Sequence, residues 1–146
     1  MNILIILIAS VLSGILYHLG GIGKPWNTKW RDWGVPLVLL SAYFLLTHIF
    51  VWYCYVASFL LTWLALSTYW KKDGVDAEGW NWFLHGLGIG LGMLPFLFVG
   101  MHWSVIVLRA FVLGVAMMVW SQLIDNAATE EFGRGVLIVL TLPLII

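Results

Sequence analysis

Val35–Trp70 reads VPLVLLSAYFLLTHIFVWYCYVASFLLTWLALSTYW, about 36 residues without one Asp, Glu, Lys or Arg. As a single helix it would be ~54 Å long at 1.5 Å per residue. A bilayer core of ~30 Å is crossed by about 20 helical residues. The stretch therefore divides into two spans, 35–50 and 53–70, with a tight turn near His48–Tyr53. No Gly or Pro marks that turn, so length alone sets the division.

The rest of the chain follows the same pattern. The sequence has 146 residues, 62% of them hydrophobic and only 10% charged. Its mean hydropathy is +0.99. A water-soluble domain carries about 25% charged residues, so lipid is the expected solvent for much of this surface. Further apolar stretches at 2–19, 81–99, 103–122 and 135–146 complete an all-α transmembrane bundle of about six short spans in one domain. The last is short enough to be either a sixth span or a helix that stops inside the membrane. No Lys or Arg precedes the first apolar run, so it reads as a retained span rather than a cleaved signal.

Charge placement orients the bundle. Lys24, Lys29, Arg31, Lys71, Lys72 and Arg134 fall in loops 20–34, 71–80 and 123–134, as do all the Asp and Glu residues. Splitting the 35–70 stretch puts these loops on one side, which the positive-inside rule makes cytoplasmic, with the N-terminus outside. Trp26, Trp30, Trp33, Trp70, Trp80, Trp82 and Trp120 flank them as an aromatic belt. The expected location is the bacterial inner membrane, multi-pass. Zero formal net charge argues against a nucleic-acid partner. The single cysteine, Cys54, allows no internal disulfide and reads as a small buried side chain.

Small residues suggest how the helices meet. GLGIGLG at Gly86–Gly92 places Gly86 with Gly90 on one helix face and Gly88 with Gly92 on nearly the opposite one. Such pairs let helices approach closely in lipid. The fourth span is therefore expected to be central, with Ser10/Gly14 and Ala110/Gly114 as matching patches and Pro95 as a kink.

Candidate ligand-binding residues concentrate in GGIGKPWNTKWRDWG, Gly20–Gly34. Its glycines free backbone N–H groups for an anion concavity. Lys24, Lys29 and Arg31 add charge, and Asn27 and Thr28 add neutral donors, which suits a phosphate or lipid head group. The competing reading is a topology loop with a tryptophan belt. GxGKP lacks the second glycine and Ser/Thr of a P-loop. In the third loop Asp125, Glu130 and Glu131, with Asp32 nearby, are hard oxygen ligands of the kind Mg²⁺ takes, though they match no metal signature. Solvated acids or ion pairs are the alternative. Arg109 is the one charge inside a span, where it needs a partner or a ligand. Backbone carbonyls, the hydroxyls of Thr47, Ser58 or Thr62, or an anion would serve. His85, with His18, could line the same cavity as the first loop, or simply be a satisfied interfacial group.

The stretch SGILYHLGGIGKPWNTKWRDWGVP, with LSTYWKKDG and EEFGRG farther on, resembles small membrane proteins encoded by phages and prophages. The resemblance covers most of the chain and implies a compartment, not an activity. EEFGRGVLIVLTLP, Glu130–Pro143, is similar in flavour to an acidic motif entering a span in bacterial phosphatidylglycerophosphatase A. That likeness implies a Mg²⁺-dependent membrane phosphatase.

Three functions fit. The first is a binding or transport protein with a cytoplasmic-face site for an anionic ligand or lipid head group, built by Lys24, Asn27, Thr28, Lys29, Arg31, His85, Arg134 and Arg109. The second is a Mg²⁺ enzyme acting on a phospholipid or isoprenoid phosphate, with Asp125, Glu130 and Glu131 holding the metal. The third is a holin-like or exclusion-type effector that acts by homo-oligomerisation. Membrane lipids are expected partners in all three.

Overall fold

The computed structural model describes residues 2–21, 28–71 and 79–146. Within them the chain is all-helical, with six α-helices and no strand. They are α1 Ile3–Gly21, α2 Thr28–Thr47, α3 Trp52–Lys71, α4 Gly79–Gly90, α5 Trp103–Leu123 and α6 Ala127–Leu140. α4 continues as a 3-10 helix over Leu91–Val99, and a short 3-10 turn, Leu142–Leu144, follows α6. Among the described residues two helical stretches, Gly79–Val99 and Trp103–Leu123, are long and apolar enough to cross a membrane. Ile3–Leu19 and Trp52–Ser67 are shorter apolar helices. The outside of the bundle is apolar too: Leu60, Trp63, Phe98 and Phe111 are all exposed.

Two expected loops are partly helical. α2 begins at Thr28 rather than Val35, so Arg31, Asp32 and Trp33 ride on its first turns. α6 begins at Ala127 rather than Gly135, because Asn126 caps it: its Oδ1 accepts the N–H groups of Ala128 and Thr129. Glu130 and Glu131 thereby become helical neighbours of Arg134. The turn between α2 and α3 falls at residues 48–51. His48 takes the left-handed conformation there, with φ 55°. Thr47 Oγ1 accepts from Ile49 N–H at 3.4 Å and Tyr55 donates its hydroxyl to Ile49 O at 2.5 Å. These bonds hold a turn that lacks glycine.

Close approach organises the packing. A Cβ on Gly86 would lie 2.8 Å from the Cα of Gly114, and one on Gly90 would fall on the Cα of Ala110. α4 and α5 thus touch backbone to backbone through two small pairs. On the other face, Gly88 meets Ala65 and Gly92 meets Thr62, both of α3. α4 is packed on both sides, as the glycine spacing predicts. Pro95 has no N–H to give to Leu91 O, and the 3-10 stretch occupies this region. α3 supplies donors to its carbonyls: Ser58 Oγ to Gly92 O at 2.7 Å and buried Cys54 Sγ to Pro95 O at 3.3 Å.

The Ser10/Gly14 patch does not meet α4. α1 packs on α6 and α2 instead. A Cβ on Gly14 would lie 2.8 Å from the Phe132 ring, and one on Gly135 would lie 2.7 Å from the Cα of Gly14. Ser13 Oγ donates to Gly135 O at 2.7 Å. α6 therefore returns beside α1 and also touches α5, closing the bundle.

Gly90→Ala should lower stability by about 3 kcal/mol, because the new methyl can be accommodated only by moving backbone. Gly88→Ala should change it little, its Cβ meeting Ala65 Cβ at an ordinary 3.5 Å. Thermal unfolding of the two variants in detergent checks the contrast.

Candidate functional site

The helix ends that carry the charges converge. α1 brings Tyr17, α2 brings Arg31 and Asp32, α4 brings Trp82 and His85, α5 brings Ser121, and α6 brings Glu130, Glu131 and Arg134. The guanidiniums of Arg31 and Arg134 are both buried, with side chains 1% and 2% exposed. A desolvated guanidinium needs partners on its fork and its faces, and both have them.

Arg134 Nη1 donates to Glu131 Oε1 at 2.5 Å. Its Nη2 donates to Ser121 Oγ at 3.1 Å and to the Glu130 carboxylate. The guanidinium carbon lies 3.2 Å from the centroid of a Trp82 ring, where the electron-rich face favours a cation. Arg31 pairs with Asp32 at 3.4 Å, donates to Leu66 O at 3.4 Å, and lies 5.1 Å from the centroid of the Tyr17 ring. Tyr17 and His85 share a hydrogen bond of 2.7 Å between hydroxyl and Nε2. His85 in turn meets Trp82 edge-on, with ring centroids 5.7 Å apart. One connected polar cluster thus joins four of the helices, and Ser121 ties in α5.

Burial pushes the Glu131 carboxyl above its ordinary 4.5, while Arg134 and Arg31 pull the other way. Its second oxygen, Oε2, and Arg134 Nε are buried with no hydrogen-bond partner among the described residues. The site therefore holds both a carboxylate and a guanidinium whose hydrogen-bonding capacity is not used up.

The sequence candidates separate into groups. Arg31, His85 and Arg134 meet in the cluster, with Asp32, Glu130 and Glu131. Asp125 is exposed, just ahead of the Asn126 cap. Among the described residues no three His, Cys, Asp or Glu side chains are grouped to hold a metal ion. Lys24 and Asn27 lie outside the described residues, as do the side chains of Thr28 and Lys29. His18 Nδ1 contacts Ala128 O at 3.2 Å. Tyr17, Trp82 and Ser121 join the site without having been singled out in the sequence.

Arg109 stands apart and fully buried. Its Nη2 donates to Ile138 O at 2.9 Å and its Nη1 to Gly90 O at 3.4 Å. Ile138 is within the last turn of α6, where carbonyls have no donor in their own helix and the helix dipole is negative. Arg109 caps that end. Comparison with protein-family models, with curated proteins and with solved structures finds no match.

Arg109→Met should cost about 1–3 kcal/mol, because Ile138 O keeps only the Thr141 hydroxyl and the end of α6 loses its cation, with Arg109→Lys intermediate. Melting of the purified variants checks it. For Glu131 the sign follows from its raised pKa. The folded state holds the proton above 4.5, where the unfolded chain has released it, so stability falls as pH rises through that window. Glu131→Gln should flatten the dependence of melting temperature on pH there.

Proposed function

We propose that the chain is a six-span protein of the bacterial inner membrane that binds an anionic, phosphate-bearing ligand at its charged, cytoplasmic end. The observation that carries this reading is the convergence of Arg31 and Arg134. They come from helices far apart in sequence, both are buried, and both act on Tyr17, His85 and Glu131. Topology signals alone need cations near a membrane surface, in water. They do not need two guanidiniums drawn into a polar cluster at a desolvation cost of several kcal/mol each. Arg forks match phosphate oxygens bidentately, and Lys29 and Lys24 precede Arg31 by two and seven residues in sequence.

The apolar exterior and the two full-length apolar helices support the membrane setting. α1, α2, α3 and α6 fill the remaining spans. Charged side chains on the first turns of α2 and α6 extend these helices beyond the hydrocarbon core. Ligand release toward the cytoplasm, or transfer across the bundle, would start from the same site.

Native mass spectrometry of the protein, extracted gently from a bacterial membrane, tests the reading. A phosphorylated lipid or metabolite should stay bound to the wild type. The double variant Arg31→Lys, Arg134→Lys keeps both charges but loses the forks, and should lower its occupancy by about tenfold. A ligand-free wild type, or equal occupancy in a folded double variant, would refute it.

A further inference from the structure

Resting on that reading, we propose that anion binding at Arg134 is coupled to proton uptake by Glu131. An oxygen of a phosphodiester or phosphate takes the place of the Glu131 carboxylate on Arg134 Nη1, and the displaced carboxyl accepts one proton from water. No covalent bond changes. One negative charge and one proton enter together, so the charge of the buried cluster is conserved.

Geometry singles out this exchange. Arg134 keeps Ser121, Glu130 and the Trp82 face when Glu131 leaves, so the fork stays in place. Its Nε is buried with no hydrogen-bond partner among the described residues, so the donors of this guanidinium are not all used. Glu131 is held to Arg134 through Oε1 alone, and its buried Oε2 has no hydrogen-bond partner among the described residues either. A neutral carboxyl is the cheaper form of such a group once its guanidinium is taken.

The groups around Glu131 fit the same exchange. Arg134 and Glu130 on α6, Arg31 on α2 and His18 on α1 act on its charge. Tyr17 of α1 feels that charge and is hydrogen-bonded to His85 of α4. Asp32 of α2 pairs with Arg31, and α5 contributes the neutral Ser121. Among the described residues two guanidiniums thus face three carboxylates, so a proton or the loss of a carboxylate favours the entry of a further anion. Burial already lifts the Glu131 carboxyl upward, which favours Glu131 as the group that accepts it.

The test uses anions that do not themselves titrate near neutrality. The full chain is placed in phosphatidylcholine nanodiscs. One arm adds phosphatidylglycerol to the disc, and the other adds glycerophosphoglycerol, its water-soluble head group, to the buffer. Binding should tighten by about tenfold between about pH 7.5 and about pH 5.5. Calorimetry in buffers of different ionisation enthalpy should register close to one proton taken up. Glu131→Gln should bind as the wild type does at the lower pH, with no more than about a twofold change between the two. Binding in the lipid arm alone identifies a lipid head group, and binding in both arms a free anion; either result, with proton uptake, supports the coupling. Binding without proton uptake, or full pH dependence retained in Glu131→Gln, overturns the coupling and leaves the anion site standing. No binding in either arm overturns both.

Discussion

Arg109 ties three helices together at one point. It is carried by α5, and it donates to a carbonyl of α4 and to a carbonyl in the last turn of α6. Each contact depends on something else in the bundle. Gly90 O is within reach because Gly90 rests directly on Ala110, the neighbour of Arg109 in sequence. A larger residue at either position would push α4 away and break the bond. Ile138 O lies where α6 ends at Leu140, and it accepts from the Thr141 hydroxyl at 3.0 Å as well as from Arg109. α6 has 14 residues, about 21 Å of helix. In the proposed membrane setting the last turn of such a helix lies within the hydrocarbon, before the Leu142–Leu144 turn completes the span, and open carbonyls there are costly. A buried cation at the negative end of the dipole removes that cost and fixes how deep α6 sits.

The depth of α6 then places the charged cluster. Ile138 lies one turn beyond Arg134, so anchoring one positions the other. Gly135 allows α6 to lie on Ser13 and Gly14 of α1, and a Cβ on Gly133 would run into the ring of Trp120. α6 is held close on those sides, and Arg134 reaches across Trp82 to Ser121. The bundle's apolar packing and its polar site are therefore not independent. Small residues at the helix contacts decide where the guanidiniums end up.

Much of this was legible in the sequence, and the exceptions have physical causes. The uncharged length of 35–70 forces a reversal, and the structure turns at residues 48–51. The turn carries no glycine signal because His48 adopts the left-handed conformation itself, held by Thr47 and Tyr55. The Gly86–Gly92 spacing foretells both packed faces of α4, since a helix turns by a fixed angle per residue. The ends of α2 and α6 were misread because charge was equated with loop. Asn126 ahead of Ala127 was a capping signal in plain view. Arg31 and Arg134 were legible as cations, but Glu130, Glu131 and Arg134 were read as loop residues and not as helical neighbours. The return of α6 to α1 was not legible, because single-sequence patterns give faces and not partners. Tyr17, Trp82 and Ser121 were missed for that reason.

The cluster combines a fixed wall with an exchangeable one. Trp82 and Tyr17 offer ring faces that need no proton and no counterion, so they support Arg134 and Arg31 in any protonation state. The carboxylates differ from one another. Asp32 adjoins Arg31 in sequence and stays beside it whatever happens on α6. Glu130 and Glu131 sit four and three residues before Arg134, so both reach one guanidinium from adjacent positions. Two anions on one cation repel each other, and burial sharpens that repulsion. A cluster built only for stability would gain more from a single well-paired carboxylate, since each additional buried charge adds a desolvation cost. Crowding at Arg134 makes sense when one of its anions is meant to leave.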